Sequence, residues 1–194
     1  LGLATALAAI AVITDSPVLV VGAMVVGPEF GTIAAICCGI AFGRWLLAWR
    51  ALALLVTGFA AAIAIVTLIS FVSHEVGMFT REQVTAPRPL TGFIWHPDRW
   101  SFIVALLAGA AGALAATIGR AEAMVGVFIS VTTVPAAGNL ALALGARAPE
   151  EITGSLLQLI VNVTGMVLAG TAVILAQRLA WSRLGRIGRG TAAH

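Results

Sequence analysis

The chain contains no lysine and only two cysteines, and just 10% of its 194 residues are charged. Without lysine, the eleven basic residues behind the formal charge of +3 are all arginine. They sit between or after apolar runs, the pattern of membrane topology, and this excludes a nucleic-acid-binding patch. Cys37 and Cys38 are adjacent in an apolar run, where neighbouring side chains point to different helix faces, so they read as small buried hydrophobes and not as a bridge. No Walker loop, dinucleotide fingerprint, nucleophile elbow or His-Glu-x-x-His motif occurs, so the residues support neither an enzyme nor a cofactor. His74, Glu75, His96 and Asp98 gather at the two ends of one loop without metal-ligand spacing, so no metal site is expected.

What is abundant is apolar surface. At 60% hydrophobic residues and a mean hydropathy of +1.06, the chain has more of it than a globular core can use. Several stretches reach the roughly 20 residues of a spanning helix, which favours helices over the short alternating strands of a barrel. The expected fold is an all-α polytopic helical membrane protein with about six transmembrane segments: Leu1 to Thr14, Val18 to Phe42, Leu46 to Val72, Ser101 to Ile118, Ala123 to Leu144 and Ile152 to Leu179.

These form a single transmembrane domain. Residues 1–72 make a first three-span unit, 73–100 an extracytoplasmic loop, 101–180 a second three-span unit and 181–194 a basic cytoplasmic tail. Arg44, Arg50, Arg120, Arg178, Arg183, Arg186 and Arg189 fall on one side, and four arginines on the other. By the positive-inside rule both termini are cytoplasmic, in a bacterial plasma membrane. Trp45, Trp49 and Trp181 lie at the inner boundary and Trp95 and Trp100 at the outer, as amphipathic rings do at headgroup level. The start, Leu1-Gly2-Leu3, has no initiator Met and no basic n-region before it, so it reads as the beginning of a fragment and not as a signal peptide.

Two of the apolar segments are interrupted by Pro-x-x-Gly: Pro28-Glu29-Phe30-Gly31 and Pro135-Ala136-Ala137-Gly138. Irregular backbone at membrane depth is tolerated only where protein or a water-filled cavity covers it, so paired breaks point to a site. Placing Gly22 on Gly126 also matches Val21 with Val125, Ala9 with Ala113 and Ala11 with Ala115, with a few extra residues in the second copy. Three spans per unit invert the second copy, giving a 3+3 inverted repeat with two discontinuous helices that meet near the midplane.

The order Asp15-Ser16-Pro17, Val21-Gly22-Ala23-Met24-Val25-Val26-Gly27-Pro28, then Val125-Gly126-Val127 and Val134-Pro135, resembles the hydrophobic domain of unknown function 389 family over nearly the whole chain. Members commonly show Ser-Pro, then Gly-Ala-Met, an apolar pair, a small residue and Pro, and later a Gly-Val run ending in Val-Pro-Pro. Here Ala136 replaces the second proline, and Glu29 stands where many members have an apolar residue. The resemblance implies a polytopic membrane protein, sometimes attached to a soluble region, and brings no established reaction.

An acid at membrane depth costs about 2.5–3.5 kcal/mol and needs a partner, a cavity or a proton. Glu29 is therefore either a cation- or proton-binding carboxylate, or a first-turn acid favoured by the amino end of the half-helix after Pro28. Ser130, Thr132, Thr133 and Asn139 surround the second break, where they either bind an ion or polar solute or satisfy carbonyls freed by Pro135. Gln158 and Asn162, four apart, share one helix face with Thr164 nearby, as interhelical bonds or a cavity wall. Gly27-x-x-x-Gly31, Gly39-x-x-x-Gly43, Gly109 and Gly112 allow close helix packing, within one chain or in a homo-oligomer. Asp15 reads as an acceptor for local backbone bonds at an outer turn, with a pathway entrance as the other role.

The reading these residues favour is a small membrane transporter or channel-like protein with no covalent chemistry. Its ion or polar-solute site would comprise Pro28, Glu29, Gly31, Ser130, Thr132, Thr133, Pro135, Asn139 and Asn162. The alternative is a non-transporting lipid-binding module or scaffold, in which Arg178, Arg183 and Arg186 hold anionic headgroups at about 1 kcal/mol per basic residue.

Overall fold

The computed structural model describes residues 1–27, 29–118 and 133–190, with side chains as far as 182. Among these residues the chain is all-helical. In order come α1 (Gly2–Ile13), α2 (Pro17–Val26), α3 (Glu29–Ala41), α4 (Trp45–Glu75), the short α5 (Arg81–Thr85), a 3-10 turn (Gly92–Ile94), α6 (Arg99–Ile118), α7 (Thr133–Gly145) and α8 (Pro149–Gly190).

The helix ends follow local chemistry. Ser16 caps α2, its Oγ accepting from Leu19 N at 3.4 Å, and Pro17 takes a first-turn position where its missing N–H costs nothing. Thr80 and Gln83 close a reciprocal capping box on α5. Gly43, at φ +67°, turns the chain from α3 into α4, with nothing within 4 Å of where its Cβ would stand. Of the pair Gly39 and Gly43, only Gly39 serves close packing: an added Cβ there would stand 2.6 Å from the Ala48 backbone nitrogen.

Among the described residues, three helices are long and apolar enough to cross a membrane: α4 with 31 residues, α6 with 20, and α8 over the 34 residues Pro149–Ser182. A fourth span results if α2 and α3, bent by 54°, count as one. Of the six expected segments, three or four reach that length among the described residues. With 12 residues α1 is about 18 Å long, against about 30 Å of hydrocarbon, and α7 has 13 residues. Residues 119–132, which hold the first half of the fifth segment and the Gly126 end of the repeat, lie outside the described residues. α8 continues beyond Ser182 to Gly190, so much of the stretch set apart as a tail extends this helix.

α7 is the central element. Every residue of it except Leu144 is buried, and it packs against α1, α4 and α8. Such all-round burial suits a helix with no polar face. Small residues let its neighbours in: a Cβ on Gly138 would lie 2.5 Å from Ala8 Cβ, and one on Gly145 2.6 Å from Ser70 Cβ. α6 meets α8 backbone to backbone, since a Cβ on Gly109 would stand 2.6 Å from Met166 Cα. Gly112 makes room for the Phe30 ring. The opposite faces of α4 and α8 leave Leu54, Leu68, Leu157 and Leu168 exposed, as lipid-facing side chains are. Cys37 and Cys38 are free thiols, the first buried and donating to Val167 O at 3.6 Å.

Candidate functional site

Helix α2 ends at Val26, Gly27 is extended at φ −73°, ψ 124°, and α3 starts at Glu29. Glu29 therefore stands in a first turn, where free N–H groups favour an acid. It is only 8% exposed, and its Oε2 has no hydrogen-bond partner among the described residues. The carboxyl group lies over Gly27, where an added Cβ would stand 2.5 Å from Glu29 Oε2 and 2.8 Å from Val134 Cγ2. Val134 belongs to the first turn of α7, so the starts of α3 and α7 meet here.

Thr133, the first residue of α7, is fully buried, and its Oγ1 likewise has no partner among the described residues. Pro135 is the third described residue of α7 and is buried. A buried polar atom without a partner costs about 1–3 kcal/mol. Among the described residues, Glu29 and Thr133 are thus two buried side chains each with one oxygen left unpaired. Pro28, Ser130 and Thr132, also expected here, lie outside the described residues. Gly31 does not join the site: it is exposed on α3, with nothing within 4 Å of its would-be Cβ.

A second polar region runs along α8. Glu151, Ser155, Gln158 and Asn162 are each at most 1% exposed. Their spacing of four, three and four places them on one face, over about 16 Å of helix. Gln158 Nε2 donates to Asn162 Oδ1 at 3.3 Å. Leu159 and Val163, on either side of Asn162, pack against the apolar cluster that contains Phe30 and Ala137.

At the Glu151 end of the file Asn139, expected at the second break, faces α8. Its Nδ2 donates to Glu151 Oε2 at 3.0 Å and to Ser155 Oγ at 2.8 Å. Arg88, from the connection between α4 and α6, completes the group. Its Nη1 donates to Asn139 Oδ1 at 3.1 Å, and its Nη2 pairs with Glu151 Oε1. The Arg88 and Glu151 side chains are 5% and 2% exposed, so this ion pair is buried. Neither Glu151 nor Arg88 is among the site residues expected from the sequence.

The connection is pinned at further points. Thr91 Oγ1 donates to Asp15 Oδ1 at 2.7 Å, and Leu90 N to Asp15 Oδ2 at 3.4 Å. Asp15 thus accepts from a distant loop and not from the local backbone that its sequence neighbours suggest, and it holds φ at +44°. Trp95 is half-buried, and its carbonyl packs onto Gly154 of α8, where a side chain would collide with it. Trp45, Trp49, Trp100 and Trp181 are exposed.

Of the arginines expected to hold lipid, Arg178 donates from Nη1 to Ala41 O at 2.8 Å and lies 5.5 Å from the Phe42 ring centroid. It closes the carboxyl end of α3, where a cation is favoured. The side chains of Arg183 and Arg186 lie outside the described residues.

Comparison with known proteins gives a relative of equally open function. The chain is 24% identical over 174 residues to the uncharacterized protein MJ0678 of Methanocaldococcus jannaschii, covering 90% of this chain and 52% of that protein. The chain therefore spans about half the length of that relative. No solved structure matches. The family model described as "Domain of unknown function (DUF389)" matches residues 24–168, from the end of α2 into the first half of α8, and the chain belongs to this family.

Proposed function

We propose that this chain is the membrane part of a small transporter or channel-like protein that binds a cation or exchanges a proton at Glu29. One observation carries the reading: a buried carboxyl oxygen without a hydrogen-bond partner among the described residues, placed where the starts of α3 and α7 meet. An acid kept at such a place exacts a cost that a purely structural contact would avoid. The buried file from Glu151 to Asn162 supports it by supplying further polar groups inside the helix bundle.

In this reading α2 and α3 are halves of one discontinuous span, and α7 is the second half of another that begins before Thr133. The two are counterparts in an inverted repeat, and with α1, α4, α6 and α8 they make six segments. Glu29 then changes partner or protonation as the ion passes, and no covalent step is needed.

The test is ion flux in liposomes reconstituted with the full chain, under imposed proton, sodium and potassium gradients. Flux above that of empty liposomes, reduced at least about tenfold by Glu29→Gln and Glu29→Ala, is the expected result. Equal flux in wild type and both variants would sink the Glu29 mechanism.

A further inference from the structure

The side chain that fills the polar pocket at the Glu151 end of α8 does not come from the helices that build it. Asn139 and Glu151 are fixed by each other, and Ser155 Oγ takes a second hydrogen from Asn139 Nδ2. With both amide hydrogens of Asn139 committed, Asn139 Oδ1 and Glu151 Oε1 remain as two acceptors side by side. Both are met by the terminal nitrogens of one guanidinium, that of Arg88, which stands between Pro87 and Pro89 of the connection.

A planar, forked donor matched to two parallel acceptors, one of them charged, is the geometry by which guanidinium is told apart from ammonium. The backbone-side nitrogen, Arg88 Nε, is buried without a hydrogen-bond partner among the described residues. The pocket therefore grips only the terminal fork and makes no polar use of the stem that ties it to the chain.

We propose that Asn139 and Glu151, positioned by Ser155, form a binding site for a guanidinium-bearing cation, and that Arg88 is its tethered occupant. The proposal names the cation class for the Glu151 end of the file described above and in that respect rests on the transport reading. Binding at the site can nevertheless be measured without transport. The pocket is buried, so removing Arg88 strands a carboxylate away from water, and a free guanidinium regains the lost attraction. In the wild type a tether of this kind competes at an effective concentration on the order of millimolar, which masks the site.

The experiment uses the purified full chain in detergent with methylguanidinium chloride as probe, and methylammonium and sodium chloride at equal ionic strength as comparators. Binding is followed by ligand-observed NMR and by the thermal unfolding midpoint. Arg88→Ala is expected to bind methylguanidinium at least about tenfold more tightly than wild type. Arg88→Ala combined with Glu151→Gln should lose that gain, and methylammonium should not reproduce it. Equal binding by all three proteins, or equal effects of the two organic cations, overturns the site.

Arg88→Gln, which keeps a donor toward Asn139, provides the same comparison if the alanine variant does not fold. If neither can be purified, folding restored by methylguanidinium but not by methylammonium supports the site, and no restoration overturns it. Unchanged flux in the Glu29 variants would remove the transport reading and leave this binding difference standing. Glu29-dependent flux without the binding difference would remove the guanidinium site alone.

Discussion

Gly27 and Val134 touch across the fold: a β-carbon on Gly27 would stand 2.8 Å from Val134 Cγ2 and 2.5 Å from Glu29 Oε2. This contact sets Gly27, just ahead of α3, against α7, and it sets the first prediction. The backbone of Gly27 suits alanine, which by itself would add about 0.4–1 kcal/mol through the unfolded chain. The carboxyl end of Glu29 can swing away, but Val134 is fully buried and stiff at χ1. Overpacking at about 1–3 kcal/mol should win, so Gly27→Ala lowers the unfolding midpoint in detergent. Val134→Ala in the same chain should recover part of the loss, and additive losses would show that the two residues do not share this contact.

Gly31 and Gly109 should respond in opposite directions to the same substitution. Gly31 has nothing within 4 Å of its would-be Cβ and sits inside α3, so Gly31→Ala should be neutral or stabilising by up to about 1 kcal/mol. An alanine at Gly109 would place its Cβ 2.6 Å from Met166 Cα, and neither backbone can yield without separating α6 from α8. Gly109→Ala should cost about 1–3 kcal/mol or more by chemical unfolding in detergent. Equal effects would mean that α6 and α8 are not in backbone contact.

These two glycines also mark what the sequence could and could not reveal. Small residues at helical spacing announce close packing, yet Gly31 and Gly109 look alike until their neighbours are known. The break after Val26 was legible because Pro28 has only a few structural meanings. Gln158 and Asn162 were legible as one face because four residues make nearly a turn. Carrying that face back by the same spacing reaches Ser155 and Glu151, so the whole polar file is encoded in the local pattern. Arg88 was not legible: its partners Asn139 and Glu151 are 51 and 63 positions away, and such a pairing leaves no local pattern. Asp15 misled for the same reason, its partner Thr91 lying 76 positions away.

Asp15 couples the α1–α2 turn to the connection between α4 and α6, and its substitutions should separate backbone from bonding effects. Asn tolerates the positive φ of this position, so Asp15→Asn keeps the turn and one acceptor for Thr91 Oγ1. Asp15→Ala loses both acceptors and strains the backbone. The alanine variant should be destabilised by about 1–3 kcal/mol and the asparagine variant by less. Limited proteolysis of oriented vesicles should cut between residues 76 and 98 sooner in Asp15→Ala than in wild type. Identical cleavage rates would show that this bond does not hold the connection down.

Asp98, just ahead of α6, supplies a pH-dependent contact outside the membrane-spanning helices. The backbone N–H of Ser101 donates to its Oδ1 at 2.7 Å and the Ser101 hydroxyl at 3.0 Å, which together hold its carboxyl below the ordinary value of 3.8. A carboxyl whose folded value is depressed stabilises the folded state above the unfolded value, and the contribution disappears as pH falls through the folded value. The start of α6 should therefore loosen only in acid and be indifferent to pH near neutrality. Ser101→Ala removes the weaker of the two donors and leaves the backbone N–H, so the Asp98 value should rise but stay below ordinary. Carbon-13 titration of the labelled Asp98 carboxyl in wild type and Ser101→Ala checks this directly. An unchanged titration would assign the whole depression to the backbone N–H, and a return to the ordinary value would show that the N–H bond depends on the hydroxyl to hold the turn in place.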